Sequence, residues 1–351
     1  MTTSLALASI SAASMMGQQV YERQLVAGAD AVLADGTGSW RVTDLEIATL
    51  RAPVTANARI PAAVFTNPSS TLRLAVGRLL YRKFDVVHRL DLRLPPAPHP
   101  EILTVLDLVT WIFHDEGQPP PDGASSARRA DVVICPSQFS ADEVTARFGV
   151  SEAVVIPLGV SPEFQRTEQP TDSQLADLGI TRPYVLHAGG CTDRKNLAGL
   201  ADAWALVHKS HPEVMLVLMG PPDDRRDRLF APLPSTLRIG WVDGPTARGV
   251  MAAASVIVVP SLYEGFGLPA LEGMAVGVPV VAADRSSLPE VCGDAAYLVE
   301  PDGRGLAEGI DAAIAAGPDT EAKVERGRRR TAEFTWERCL AAHAAIWRSY
   351  G

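Results

Sequence analysis

The chain has 351 residues and a formal net charge of −9, with 47% hydrophobic and 21% charged side chains. That length is long for one core and comfortable for two domains, and the acidic balance excludes a nucleic-acid binder, which needs a basic surface. Cys135, Cys191, Cys292 and Cys339 show no ligand spacing, so they read as reduced thiols in a reducing compartment with no structural zinc.

The opening stretch MTTSLALASISAASMM has no cation before Arg23, and serines interrupt its apolar run. It therefore reads as a buried strand, Leu5–Ile10, rather than an export signal. No apolar run approaches the roughly 20 residues of a membrane span, so the expected location is cytoplasmic. Short apolar runs then alternate with helical patterns, as in stacked βαβ units on parallel sheets. The first half offers helix Gln18–Ala29 and strand Ala31–Ala34, then helix Ser70–Lys83 and strands Asp85–His88, Ile102–Leu106, Val132–Cys135 and Ala153–Pro157. A further helix begins near Ser140, with Glu143 at capping-box spacing. The polar segment Ser161–Arg182 reads as an interdomain connection. The pattern restarts with Tyr184–Ala188, helix Asn196–His208, Val214–Met219, Leu237–Ile239, Ala254–Val259, Pro279–Ala282 and Ala296–Val299. A final helix, Trp336–Tyr350, places Leu340, Ala344 and Trp347 on one face.

The segment PSLYEGFGLPALEGMAVGVP (Pro260–Pro279) carries the most chemistry. A buried strand runs into a Gly-Phe-Gly turn and then into a helix with Pro269 in its first turn, where a missing N–H costs nothing. Such a helix start presents unpaired N–H groups and a positive dipole end to an anion. Glu264 and Glu272, eight residues apart, would repel an anion, so they suit neutral hydroxyls beside it. An anion among hydroxyls describes a sugar nucleotide. Upstream, Gly189-Gly190 follow the strand YVLHA, and Arg194-Lys195 follow four residues later. Glycines admit an anion close to the backbone, and the two cations supply charge.

The E-x7-E pair Glu264–Glu272 resembles the signature of retaining GT-B glycosyltransferases of family 4. The resemblance continues through SSLPEVCGDAAYLVEPDG (Ser286–Gly303), HAGGCTDRKNLAGLADAW (His187–Trp204), ARRADVVICPSQFSADEV (Ala127–Val144) and VVIPLGVSPEF (Val154–Phe164). It spans roughly Phe84 to the C-terminus and is loosest over the first eighty residues. It implies an α/β GT-B architecture: two Rossmann-like domains facing across a cleft, residues 1–165 binding the acceptor and 166–335 the nucleotide sugar, with helix 336–351 crossing back to the first.

By resemblance, Gly189, Gly190, Arg194 and Lys195 hold the donor diphosphate and stabilise its leaving charge. Glu264 faces the transferred sugar, the backbone of Gly265, Phe266, Gly267 and Leu268 reaches sugar or distal phosphate, and Glu272 takes both ribose hydroxyls. Glu264, Arg194, Lys195 and Asp107 are the expected catalytic residues. Acceptor-side candidates are Gly17, His88, Asp107 and His114. Here the chain departs from its relatives: a usual His-Asp pair is Leu106-Asp107, and the glycine-rich loop is Ser14-Met15-Met16-Gly17-Gln18-Gln19, with one glycine. The loop around Gly240-Trp241-Val242 lies near the base in relatives, while the Trp241 ring is expected in the core.

The expected activity is metal-independent, retaining transfer of a sugar to an acceptor hydroxyl. No Asp-x-Asp tripeptide offers a metal-diphosphate ligand pair, and no cofactor is expected. The Arg-Lys-Asn element, frequent in mannosyl enzymes, makes GDP-mannose the first donor. The acceptor class stays open among glycans, lipid-linked and small molecules. The basic helix Ser70–Lys83, with Arg73, Arg78, Arg82 and Lys83, leaves a weak peripheral contact at the inner membrane face as a minor expectation. A sugar-nucleotide epimerase and a non-catalytic sugar-nucleotide binder are the alternatives. The first would convert donor without acceptor, and the second would bind donor without turnover.

Overall fold

The computed structural model describes residues 2–11, 17–34, 38–66, 69–98 and 100–351. It divides into two compact units, Met1–Gly159 with Trp336–Gly351, and Val160–Thr335.

In the first unit seven strands run parallel: β1 (Thr2–Ile10), β2 (Ser39–Thr49), β3 (Ala58–Ile60), β4 (Val86–Arg89), β5 (Glu101–Thr104), β6 (Val132–Cys135) and β7 (Val154–Val155). Their order is β3-β2-β1-β4-β5-β6-β7. The expected strand Ala31–Ala34 is instead the end of helix Gly17–Ala34, whose buried Tyr21, Leu25, Ala29 and Leu33 recur every fourth residue. A four-residue apolar run does not by itself distinguish strand from helix. The helix placed near Ser140 is Gln138–Phe148, capped three residues earlier: the Ser137 hydroxyl accepts from the Ser140 N–H at 3.1 Å. Residues 14–16 of the single-glycine loop lie outside the described residues.

Helix Trp336–Arg348 belongs to this unit and packs on helix Gly17–Ala34. Gly28 permits that approach, since a Cβ there would stand 2.2 Å from Leu340 Cδ1. A chain of hydrogen bonds fixes the contact. Trp347 Nε1–H donates to His88 Nδ1 (3.2 Å), so the neutral His88 carries its proton on Nε2 and donates to Thr104 Oγ1 (2.8 Å). Thr104 donates to the Tyr21 hydroxyl (2.8 Å), Tyr21 to His343 Nε2 (2.9 Å), and His343 Nδ1–H to the Cys339 carbonyl (2.8 Å). Every link points the same way. Burial holds both histidines neutral, His343 down at about 4 and His88 well below its usual range, with His343 adding to the effect on His88.

His88 is 0% exposed in this network. Its nomination as an acceptor-side group from its place at a strand end is therefore corrected: both ring nitrogens are already committed to internal partners. Arg73 is likewise no surface cation. It is fully buried, ion-paired with Asp122 at 2.8 Å, and donates to the carbonyls of Val64, Arg93 and Leu94. Removing it from the outer face of helix Ser70–Leu80 leaves Arg78 there, followed by Arg82 and Lys83, beside the exposed Leu72 and Leu79.

The second unit holds six parallel strands: β8 (Tyr184–Ala188), β9 (Met215–Met219), β10 (Thr236–Gly240), β11 (Val256–Val259), β12 (Val280–Ala283) and β13 (Tyr297–Val299). They are ordered β10-β9-β8-β11-β12-β13. Leu200, Trp204 and Val207 of helix Leu197–Ser210 and Leu306 and Ile310 of helix Gly303–Ile314 bury one sheet face. Trp204 satisfies its indole N–H on the Pro234 carbonyl at 2.9 Å. The segment 161–182, expected as the interdomain connection, is part of this unit and forms helices Pro162–Gln165 and Asp172–Ala176. A capping box between Thr171 and Gln174 starts the second of these. Its polar composition thus reflects caps and short helices, not a linker.

Candidate functional site

Chain order reverses between β8 and β11, which are neighbours in the sheet although β9 and β10 intervene in sequence. Open parallel sheets bind ligands at the carboxyl ends of such strand pairs. Two loops emerge there: Gly189–Asn196 after β8, and Pro260–Gly267 after β11. They hold eight of the residues singled out in the sequence: Gly189, Gly190, Arg194 and Lys195 in the first, and Glu264, Gly265, Phe266 and Gly267 in the second.

Asn196 ties the loops together. It takes the left-handed conformation (φ 52°), which asparagine tolerates better than most residues. Its Oδ1 accepts from the Gly199 N–H, starting helix Leu197–Ser210, and its Nδ2 donates to the Pro260 and Pro301 carbonyls at 3.0 and 2.6 Å. The Leu262 N–H closes the contact on the Arg194 carbonyl at 2.7 Å. Asn196→Ala is expected to cost about 2–3 kcal/mol, the worth of these bonds in a half-buried setting. In a unit of this size that lowers the unfolding midpoint by roughly 4–12 °C. Asn196→Gly, which keeps the backbone geometry, should recover about 1 kcal/mol of it in the same thermal scan.

Arg194 and Lys195 converge on one carboxylate. Arg194 Nη1 lies 3.0 Å from Glu264 Oε2 and Lys195 Nζ 2.6 Å from Oε1, with all three side chains at most 15% exposed. Burial alone would push the Glu264 carboxyl up, but Lys195 and Arg194 outweigh it and bring it down to about 2. Glu264 is ionised, clamped and buried. Its backbone is also fixed: the Glu264 N–H donates to Ser286 Oγ (2.9 Å), and Ser287 Oγ–H lies 2.8 Å from the carbonyls of both Glu264 and Phe266.

Gly267 (φ 109°) then turns the chain into helix Leu268–Ala275, where the first N–H groups lack intrahelical partners. A side chain at Gly267 would be strained and would meet Leu288 at 2.8 Å. Gly265 and Phe266 are buried, and the Phe266 ring packs edge-on against Phe334, with centroids 5.7 Å apart. Only its backbone is available to a ligand. Leu268 begins the helix proper.

Glu272, on the second turn of that helix, contrasts with Glu264. It is half-buried, and no side-chain partner holds it among the described residues. Burial lifts its carboxyl to about 7 with no charged neighbour to oppose the shift. Two glutamates eight residues apart thus stand in opposite states, one neutralised by cations and one short of hydrogen-bond donors.

Gly189 sits in the strand-end turn with its N–H on the Met219 carbonyl (3.0 Å), and Gly190 opens into free space, with nothing within 4 Å of where its Cβ would be. Gly220 (φ 143°) packs beneath. A Cβ there would stand 2.1 Å from the Gly189 carbonyl oxygen. Sequence reasoning missed Gly220, Ser286 and Ser287. The first was legible as a glycine ending a strand before two prolines, whereas the serines open the matched run SSLPEVCGDAAYLVEPDG with no role for their hydroxyls evident from it. Trp241, expected in the core, is 55% exposed just after β10, the strand at the edge of the sheet.

The remaining candidates belong to the first unit. Gly17 opens helix Gly17–Ala34 after β1, and Asp107 follows β5; His114 is exposed in the short turn His114–Glu116. Asp107 Oδ1 accepts from the Val109 N–H at 3.2 Å, a local turn bond.

Residues 182–316 match the family model described as glycosyl transferases group 1. The chain carries a glycosyl transferases group 1 domain. That domain contains both loops and both glutamates. The O-antigen chain mannosyltransferase B of Escherichia coli is 35% identical over 164 residues, 44% of this chain and 43% of that protein. The GDP-mannose-dependent alpha-(1-6)-phosphatidylinositol dimannoside mannosyltransferase of Mycobacterium tuberculosis is 29% identical over 231 residues, 63% of this chain and 58% of that protein. The chain thus spans about half the length of the curated relatives it matches. Sucrose-phosphate synthase from Thermosynechococcus elongatus shares the fold, with a TM-score of 0.76 and 22% identity over 99% of this chain and 98% of that one. Among the described residues no helix around or outside the group 1 domain is long and apolar enough to cross a membrane.

Proposed function

We propose that the chain is a retaining glycosyltransferase that moves mannose from GDP-mannose to an acceptor hydroxyl without a metal ion. The observation that carries the reading is the pairing of a cation-clamped glutamate with a donor-starved one at the reversal point of a parallel sheet. Glu272 suits a vicinal diol, which offers two O–H donors to one carboxylate. Arg194 and Lys195 are the charges for a diphosphate. The names of the two mannosyltransferase relatives favour mannose, and the mycobacterial one favours a GDP donor.

In this scheme the bond between the anomeric carbon and the diphosphate oxygen breaks while the acceptor oxygen bonds to the same face of the sugar. The acceptor proton passes to the departing phosphate oxygen. Arg194 and Lys195 stabilise the charge that grows on the diphosphate, worth about 3–4 kcal/mol for each well-placed donor. Glu264 orients the sugar hydroxyls, and Asp107 serves the acceptor side. A glycan or lipid-linked acceptor accords with the names of the same relatives. Leu72 and Leu79, flanked by Arg78, Arg82 and Lys83, supply a surface for weak contact with anionic lipid.

The test is thermal stabilisation by GDP, UDP, ADP, dTDP and GDP-mannose, with Glu272→Ala in parallel. A ligand at 100 times its dissociation constant adds about 2.7 kcal/mol. GDP and GDP-mannose are expected to raise the parent midpoint and leave the variant unmoved. A different base giving the largest shift removes GDP-mannose, and no shift from any nucleotide removes the transferase reading. A product of inverted anomeric configuration removes retention.

A further inference from the structure

Beneath the strand-end turn of the second unit lies a cation that none of the roles above uses. Arg226, in helix Asp224–Phe230, is 2% exposed. Its Nη2 donates to the Gly189 carbonyl at 2.5 Å and its Nη1 to the Pro221 carbonyl at 3.1 Å. Its Nε is buried with no acceptor, and no carboxylate lies within ion-pairing distance among the described residues. A buried guanidinium without an ion-pair partner is costly, and desolvation holds its pKa below the usual arginine range against the longer-range pull of Asp223 and Asp227. Its neighbour Arg225 is spent elsewhere, on Asp193 and the Cys191 carbonyl.

The geometry of the peptide gives this cation a purpose. The Gly189 carbonyl and the Gly190 N–H belong to one planar trans peptide, so they point in opposite directions. With the carbonyl drawn inward onto Arg226, the Gly190 N–H is turned outward. It finds no acceptor among the described residues, and the space beside Gly190 is open. The preceding peptide is held too, its Gly189 N–H on the Met219 carbonyl, so the backbone on both sides of the Gly189 Cα is anchored. Gly220 makes the contact possible: a side chain there would stand 2.1 Å from the Gly189 oxygen and 3.2 Å from Arg226 Nη2. His187, buried beside the turn, is held neutral at about 4 by burial, then by Arg226 and Lys195. Arg226 thus lies behind Gly190 as a buried cation, with Asp223 and Asp227 acting on it only from beyond ion-pairing distance.

We infer that Arg226 is a positioning residue for an anion at Gly190, fixing the Gly189–Gly190 peptide so that its N–H faces a phosphate and adding a buried cation without a direct ion-pair partner behind it. The inference deepens the proposed donor site and rests on that reading for the identity of the anion as a nucleotide diphosphate. Polarisation of the carbonyl by the guanidinium strengthens the N–H as a donor.

Titration calorimetry of the parent, Arg226→Gln and Arg226→Lys with inorganic pyrophosphate and with GDP tests it, alongside each unliganded thermal midpoint. Glutamine keeps an N–H donor for the Gly189 carbonyl but no charge. Arg226→Gln is expected to bind both anions about tenfold more weakly, the loss of one charge-assisted interaction. Arg226→Lys should recover most of that affinity, whatever its midpoint does. Unchanged affinity in Arg226→Gln overturns the inference. So does a loss that lysine does not recover and that follows the fall in midpoint, since that marks a merely structural side chain. If the parent binds pyrophosphate but not GDP, the nucleotide reading fails while the role of Arg226 is still decided by the pyrophosphate series. If the parent binds neither, both fail.

Discussion

Glu264→Gln is expected to weaken the fold and tighten the hold on diphosphate at once. The carboxylate neutralises Arg194 and Lys195 in a buried setting, and removing one member of such a cluster strands the opposite charges at a cost of about 3 kcal/mol. The pH dependence has a definite sign. Because Glu264 sits at about 2 in the folded protein and 4.5 without its surroundings, its contribution is present above pH 4.5 and is lost as pH falls toward 2. The glutamine variant should lack that acid-side loss. The same two cations, released from Glu264, become available to an added anion. Pyrophosphate is therefore expected to bind the variant about tenfold more tightly and to restore most of the lost stability. Sugar transfer should fall by about 100-fold, because the group that orients the sugar is gone. Calorimetry with pyrophosphate decides it: weaker binding in Glu264→Gln would mean that the carboxylate positions the cations rather than standing in for the anion.

Glu272→Gln should do the reverse. A carboxyl raised from 4.5 to about 7 by burial favours folding fully below pH 4.5 and loses that contribution as pH rises through 7. At pH 8 the unliganded parent therefore holds an ionised, donor-starved carboxylate that the glutamine variant lacks. The variant should be more stable at pH 8 by about 2–3 kcal/mol, with little difference near pH 4. Binding moves the other way. GDP-mannose, whose phosphates do not titrate in this range, should bind the parent about tenfold more tightly at pH 8 than at pH 6, because the diol selects the ionised carboxylate. The variant should bind about 100-fold more weakly at pH 8, with no such slope. Stability and affinity changing in opposite directions mark a group strained for its ligand. Parallel losses at every pH would make Glu272 an ordinary helix residue.

The sequence was most legible where local rules and tertiary demands coincide. The apolar runs of the second half became β8 to β13, since strands buried on both faces are nearly continuous in hydrophobic residues. Glu264, Arg194 and Lys195 were singled out separately and the structure brings them together. What escaped were features set by distant partners. β2 pairs with the full length of β1, yet its polar positions diluted the strand signal, and Ala31–Ala34 read as strand although helix packing decided it. His88 ends a strand like a cleft residue, but the acceptors and donors that bury it come from Trp347 and Thr104, far along the chain. Arg73 and Arg226 look like surface cations in a one-dimensional reading. Only the carbonyls around them reveal buried roles. Ser286 and Ser287 act through hydroxyl contacts that no spacing announces.

The route of the last helix bears on how the molecule is made. The second unit is contiguous, Val160–Thr335, and can close as soon as it has left the ribosome. The first unit cannot. Its hydrogen-bonded relay needs His343 and Trp347, and Gly28 waits for Leu340, so that part of helix Gly17–Ala34 stays uncovered until residues 340–347 have been made. At roughly 5–20 residues per second, the 176 residues from 160 to 335 impose a delay of about 10–35 s. During that interval Tyr21 and Gly28 lack their partners on the last helix, and the nascent chain is the form most in need of a chaperone. The half translated first is thus the half that folds last.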